Sequence, residues 1–82
     1  METVDAMIEI LQNLEIDVTR GEDVLLPKDL TGAIIDSLDI VNIVTAIEET
    51  YGIQMDGLDI IPENFHTVQT MADMVDKYLN AD

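Results

Sequence analysis

The sequence has no cysteine, a single histidine and only three basic residues, and each shortage removes a class of function. Without cysteine there is no disulfide, no zinc–thiolate site and no thiol nucleophile. One histidine does not build a multi-histidine metal site. No apolar run approaches the roughly 18 residues that indicate a membrane-spanning helix, and residues 1–14 are amphipathic rather than signal-like. We therefore expect a protein of the cytoplasm.

Positive charge is nearly absent, whereas negative charge is abundant. Eighteen acidic residues against three Lys and Arg give a formal net charge of −15. A surface this negative repels phosphates, which argues against binding to nucleic acid or to anionic membranes. The partners that it favours are proteins with basic patches. The apolar fraction of 48% is that of a folded domain, and 82 residues leave room for one domain, over residues 1–82.

Apolar residues at spacings of three and four predict three helices. In the second, Gly52 is placed to end the helix. Thr3 and Thr67 are the expected N-caps of the first and third helices. The three apolar stripes are Val4, Met7, Ile8, Leu11 and Leu14, then Ile40, Ile43, Val44, Ile47 and Tyr51, and finally Val68, Met71, Ala72, Val75 and Leu79.

About twenty residues, with Gly21, Pro27 and Gly32 among them, connect the first two helices, and so long a connection is often functional. Its six apolar residues indicate that it packs onto the domain: Val24, Leu25, Leu26, Leu30, Ile34 and Ile35. A short helical turn is expected near residues 58–61. The predicted fold is therefore all-α, a small up-down bundle of three main helices plus a short helix, with a long ordered loop between helices 1 and 2.

The tetrapeptide Asp36-Ser37-Leu38-Asp39 opens the second helix and can be interpreted in two ways. A serine in the first turn is exposed, and the N-terminus of a helix favours an incoming phosphate. The alternative is an ordinary cap, in which Asp36 or Ser37 satisfies free backbone donors and Asp39 interacts with the helix dipole. Taken alone, the tetrapeptide favours the cap, because Ser and Asp are common capping residues.

The surrounding sequence resembles the acyl carrier protein family. Residues 32–41, GAIIDSLDIV, look like its attachment-site motif. The resemblance continues through IEETYGI at 47–53, IPENF at 61–65 and Thr67-Val68, and it covers roughly residues 24–80. The first helix agrees with the family in length and polarity. Asp-Ser-Leu at this position in the chain, followed by the segments at 47–53 and 61–65, is far more specific than the tetrapeptide alone.

The resemblance implies a non-catalytic carrier whose Ser37 holds 4′-phosphopantetheine. In this family a phosphopantetheinyl transferase moves the group from coenzyme A to the serine with Mg²⁺, and cargo rides as a thioester on the terminal thiol of the arm. We expect acyl cargo, in fatty acid or related acyl biosynthesis, since Asp39 after Ser37-Leu38 resembles fatty-acid carriers. The alternative is an aminoacyl or peptidyl carrier of D-alanyl or nonribosomal type, because residues 32–36 and 61–65 resemble those carriers. An unmodified acidic adaptor is a third hypothesis, from another class.

Enzymes dock on the second helix of related carriers, through acidic residues and apolar contacts near the serine. By that resemblance, loading and processing enzymes with basic patches would read a surface that we call the recognition face. Asn42 departs from the family, since relatives often place an acid there. The protein is expected to be a monomer. The recognition face consists of Asp36, Leu38, Asp39, Val41, Glu48, Glu49 and Asp56.

No catalytic or metal centre is evident in the sequence. His66 lies far from Ser37 along the chain, and we expect it to face solvent at the start of the last helix. A calcium loop beginning at Asp56 is ruled out by its spacing, since positions 3, 5 and 6 would be Leu58, Ile60 and Ile61 rather than acids and glycine. We therefore expect no metal ligands and no catalytic residues.

The net charge makes a prediction about stability. A charge of −15 on one small domain repels itself, and salt screens that repulsion over about 10 Å at 0.1 M. The folded state should therefore lose compactness at low ionic strength and regain it with NaCl or MgCl₂. Thermal melts across a salt series check this. A melting temperature that does not rise with either salt would mean that local pairing already balances the carboxylates.

Overall fold

A computed structural model describes residues 2–27 and 32–80 of the chain. Its main elements are the helices α1 (Thr3–Asn13), α2 (Ser37–Tyr51) and α3 (Val68–Leu79). Two short 3₁₀ helices, Gly57–Asp59 and Pro62–Phe65, lie between α2 and α3. The predicted all-α fold with its long loop between helices 1 and 2 is confirmed, although the single turn expected near residues 58–61 is replaced by these two turns.

The 3₁₀ helices have local causes. The Asp56 carboxylate accepts the N–H of Leu58 and so starts the first turn. Pro62 is the first residue of the second turn, where its missing N–H costs nothing. The side-chain amide of Asn64 then donates to the Asp59 carbonyl at 2.7 Å and ties the two turns together. The segment between α2 and α3 is therefore divided into two turns, because Pro62 begins a new one.

The core lies where α1 packs against α2 and α3, and it is continued by the long loop. Most of the predicted stripes supply it. Leu79 is a correction, since 42% of its surface is exposed, while Tyr78 and Met74 pack inward instead. Among the described residues no charged or polar side chain is buried. The fully buried large side chains are Phe65, Met7, Leu11, Leu25, Ile43, Ile47, Met71, Val18, Val68 and Val75.

Helix ends follow the sequence in two of three cases. Thr67 caps α3 through a reciprocal pair, in which its hydroxyl accepts the Thr70 N–H at 3.1 Å and the Thr70 hydroxyl accepts the Thr67 N–H at 2.9 Å. Gly52 ends α2 with a φ of 65°, a left-handed conformation that favours glycine. The cap expected at Thr3 is wrong, because Glu2 precedes α1 without a side-chain cap and the Thr3 hydroxyl donates to Asp76 instead.

The long loop is hydrogen-bonded to the start of α3. The N–H groups of Val68 and Gln69, which have no partner inside a helix, donate to the carbonyls of Asp23 at 3.3 Å and Gly21 at 2.9 Å. A Cβ on Gly21 would lie 3.4 Å from Val4 and 3.5 Å from Gln69, which are ordinary contact distances, so α1 and α3 both lie close to this part of the loop. The loop thus supplies acceptors that α3 needs.

Burial within the loop is only partly as predicted. Leu25, Leu26 and Ile35 are buried, whereas Val24 and Ile34 stay largely exposed. The remaining predicted residue, Leu30, lies outside the described residues. Within residues 2–27 and 32–80 no helix has both the length and the apolar character that crossing a membrane requires.

Candidate functional site

Ser37 is the first residue of α2, and its side chain is exposed. Asp36 precedes it in an extended conformation, with φ −120° and ψ −173°, so the chain enters the helix at Ser37. The Ser37 hydroxyl makes no hydrogen bond with the described residues. The first N–H groups of a helix lack intrahelical partners and carry partial positive charge. This position therefore presents an exposed hydroxyl at the end of a helix that favours a bound phosphate.

The cap and the free hydroxyl belong to different residues. Asp36 accepts the N–H of Asp39 at 2.9 Å, and Asp39 accepts the N–H of Asp36 at 3.1 Å. This reciprocal pair starts the helix, so both interpretations of the tetrapeptide are compatible. Because the two carboxylates do the capping, Ser37 is left available for chemistry.

Exposed apolar side chains surround the serine along the chain. Leu38 is 67% exposed, Val41 60% and Ile34 48%. Val41 lies four residues after Ser37, so both are on one side of α2. Leu38 is therefore a surface residue and not part of the core. Apolar surface of this size beside an exposed hydroxyl is suited to contact with a protein partner.

Two acids of the recognition face have structural bonds at the far end of α2. The Glu48 side chain is half-buried and accepts the Met55 N–H at 2.8 Å. Asp56 accepts the N–H of Leu58 at 2.9 Å, while its own N–H donates to the Tyr78 hydroxyl at 2.8 Å. By contrast, Glu49 is exposed and makes no hydrogen bond with the described residues. The acids of this face therefore differ in how far the fold depends on them.

Tyr78 joins α3 to the turn that follows α2. Its hydroxyl accepts from Asp56 and donates to the carboxylate of Asp59. Burial, and then the hydrogen bond to Asp59, raises the pKa of Tyr78 above its usual value. Burial, with the nearby charge of Asp76, likewise raises the pKa of Tyr51 at the end of α2. Both phenols therefore remain neutral at physiological pH.

His66 is the residue that sequence reasoning placed wrongly. It is half-buried rather than facing solvent, and its Nδ1 lies 2.9 Å from the carbonyl oxygen of Leu26. Its own carbonyl accepts the N–H groups of Leu25 and Leu26 at 2.9 and 3.2 Å. No periodicity marks this residue, because it lies between a 3₁₀ helix and an N-cap. The apolar residues Leu25 and Leu26 predicted that this part of the loop is buried. Nothing in the sequence predicted that it contacts His66.

Glu48 and Glu49 provide a matched test of the structural role of the acids. Glu48→Ala removes the acceptor of the Met55 N–H, whereas Glu49→Ala removes the same charge from the next residue without breaking a bond. We expect Glu48→Ala to lower the free energy of unfolding by about 1–3 kcal/mol, and Glu49→Ala to change it by less than about 0.5 kcal/mol. Urea denaturation measures both. Equal effects would show that the Glu48 bond contributes nothing beyond charge.

Comparison with known proteins adds a family to this geometry. The family model described as phosphopantetheine attachment site matches residues 10–75, which is most of the chain and includes Ser37. Comparison with curated proteins and with solved structures gives no match. Proteins of this family are non-catalytic carriers with covalently attached 4′-phosphopantetheine, and they interact with phosphopantetheinyl transferases and acyl-processing enzymes. The chain belongs to the phosphopantetheine attachment site family, as a carrier domain of the acyl carrier protein type.

Proposed function

We propose that residues 1–82 form a single acyl carrier protein domain whose 4′-phosphopantetheine is attached to Ser37. The observation that carries the assignment is the exposed Ser37 hydroxyl, free of bonds to the described residues, at the first position of α2. Asp36 and Asp39 satisfy the start of the helix, so modification would not remove a cap. The residues present therefore fit a phosphate ester at this position.

The chemistry at Ser37 is a phosphoryl transfer. The hydroxyl oxygen would form a bond to the phosphorus that carries the pantetheine arm in coenzyme A, and the bond to the leaving adenosine bisphosphate would break. The serine proton would pass to a base on the transferase. The resulting negative phosphodiester would lie at the N-terminus of α2, where the helix dipole contributes about 0.3–1 kcal/mol. The arm supplies the thiol that this cysteine-free chain lacks.

For cargo we propose acyl groups, in fatty acid or related acyl biosynthesis, with aminoacyl or peptidyl cargo as the alternative. Asp39 supports fatty-acid cargo by resemblance, but its bond to the Asp36 N–H gives it a local role in any carrier. A thioester trapped from native lysate distinguishes the two. Intact mass of the loaded protein, before and after hydroxylamine, should show a fatty acyl or related acyl increment. An amino acid increment would favour the alternative.

For partners we propose a phosphopantetheinyl transferase and acyl-loading and acyl-processing enzymes with basic docking patches. We also propose that the protein acts in the cytoplasm and is a monomer. The support is the net charge of −15, together with the exposed apolar surface of Leu38 and Val41 beside Ser37. Charge would speed the encounter, and apolar contact would hold the docked complex.

Ser37→Ala should abolish modification while the fold is kept. The side-chain cap of α2 comes from Asp36, so removing the Ser37 hydroxyl should change the free energy of unfolding by less than about 0.5 kcal/mol. Intact mass after incubation with coenzyme A, Mg²⁺ and a phosphopantetheinyl transferase measures the outcome. The control is Thr45→Ala, which removes another exposed hydroxyl of α2 and should be modified like the parent. An arm on Ser37→Ala would place the attachment site elsewhere, and a parent that gains no arm would favour the adaptor hypothesis.

Glu49→Lys and Leu38→Ala should affect transferase docking in different ways. Glu49 has no bond to the described residues, so its charge can be reversed without breaking a cap, which is not true of Asp39. Glu49→Lys should lower the association rate at low salt, and the difference should shrink as salt is added. Leu38→Ala should raise the dissociation rate, because it removes buried contact from the complex.

Stopped-flow binding to the transferase across a salt series separates these two effects. Circular dichroism establishes first that both variants are folded. If folded Glu49→Lys associates with the transferase as fast as the parent at low salt, this end of α2 only aids solubility. If Leu38→Ala dissociates from the transferase no faster than the parent, Leu38 does not belong to the recognition face.

A further inference from the structure

The segment just before Ser37 is held by one carbonyl of the long loop. The Leu25 carbonyl oxygen accepts the N–H of Ile34 at 2.8 Å and the N–H of Ile35 at 3.4 Å. Ile35 is also buried, at 3% exposure. The chain therefore leaves Leu25 and returns to it two residues before Ser37. The position in space of the first residues of α2 is therefore tied to the position of Leu25.

His66 holds Leu25 and its neighbour Leu26. The His66 carbonyl accepts the N–H of both residues, at 2.9 and 3.2 Å. Its Nδ1 lies 2.9 Å from the Leu26 carbonyl, and a carbonyl only accepts, so Nδ1 carries the proton in this bond. The Leu25 and Leu26 side chains are buried, as is Phe65 just before the histidine. One residue thus fixes this short piece of loop from both its backbone and its side chain.

We propose that His66 is a positioning residue for the modification of Ser37. The bonds run from the His66 side chain to Leu26, from Leu25 to Ile34 and Ile35, and from there along the chain to the serine. The proposal rests on the proposed attachment to Ser37. Any residue at position 66 would supply the backbone carbonyl, so the role belongs to the imidazole N–H.

The physical consequence concerns the fraction of molecules with the start of α2 in place. Without the Nδ1 donor, the half-buried contact to the Leu26 carbonyl is lost, and the neighbouring Leu25 carbonyl, which accepts the N–H groups of Ile34 and Ile35, is held less firmly. A transferase that binds the ordered conformer then sees a smaller competent population. The apparent KM rises by the inverse of that fraction, while kcat in the bound complex is unchanged.

His66→Leu and His66→Asn form a matched pair for the test. Leu and Asn are similar in size, but only Asn offers an N–H near the position of Nδ1. The reaction is phosphopantetheinylation of the full chain with coenzyme A, Mg²⁺ and a transferase. We expect His66→Leu to lower kcat/KM by about three- to tenfold through KM, and His66→Asn to restore most of it. Amide exchange at Ile34 and Ile35 should quicken in the Leu variant and recover in the Asn variant.

Thr3→Val is the control for general destabilisation. It deletes the hydroxyl that joins α1 to Asp76 on α3, without touching residues 25–26 or 34–35. Its kcat/KM should equal that of the parent at a temperature where both are folded. If His66→Leu does not fold, His66→Ala takes its place as the donor-free variant, and His66→Asn still tests whether an N–H donor restores the rate.

Two results would overturn the positioning role. One is a parental kcat/KM for the folded variant without the donor. The other is an equal loss in the donor-free variant, His66→Asn and Thr3→Val, which would indicate destabilisation alone. Failure of the proposed function looks different, since either the parent would gain no arm or Ser37→Ala would be modified, whatever residue stands at position 66.

Discussion

A carboxylate is stabilised by a cation or by an N–H donor, and this chain has few cations. Among residues 2–27 and 32–80 the ion pair found is Arg20 with Glu22, at 3.8 Å and well exposed, a kind of pair that adds little stability. Backbone N–H groups serve instead. The acids that accept them are Asp23, Asp36, Asp39, Glu48 and Asp56. The turn at residues 19–23, the start of α2 and the segment just after α2 depend on these bonds.

This use of acids has a measurable electrostatic signature at one turn. Asp23 accepts the N–H groups of Arg20 and Thr19, and these bonds lower its pKa. Since the folded pKa lies below the unfolded one, this carboxylate stabilises the turn above the unfolded pKa and loses that contribution as pH falls through the folded value. The Asp23 carbonyl also accepts the Val68 N–H, so acid weakens the same turn that receives the start of α3.

Because backbone N–H groups take the place of cations, some acids of the recognition face also hold the fold. Here Asp36 and Asp39 start α2, and Glu48 holds the chain just beyond its end. Each carboxylate keeps a second oxygen or lone pair for a visiting Arg or Lys. A loss of docking on mutation of these acids would therefore report on both roles, whereas Glu49 reports on charge alone.

Whether a feature could be predicted from the sequence depends on how far apart along the chain the interacting residues lie. The helices, the Thr67 cap and the Gly52 end rest on residues three or four apart, and these predictions are confirmed. Leu79 fits the apolar stripe of α3 but lies at its last residue, where the core has ended. The Thr3 hydroxyl is drawn away from its expected cap by Asp76, 73 residues along the chain. No local pattern encodes such a contact.

The candidate site shows the same division. The tetrapeptide at 36–39 contains its own cap, which could be predicted from the sequence. The resemblance of the surrounding motif to the family is what leads us to propose Ser37 as the attachment residue. What sets the location of that cap is not local, because Ile34 and Ile35 bond to Leu25, and Leu25 bonds to His66. The residues just before α2 are thus bonded to Leu25 in the long loop, and Leu25 is bonded to His66, which is distant in sequence. A capped helix start could form in many settings, and here bonds to the long loop, and through it to the segment before α3, hold the chain just before the capped residue.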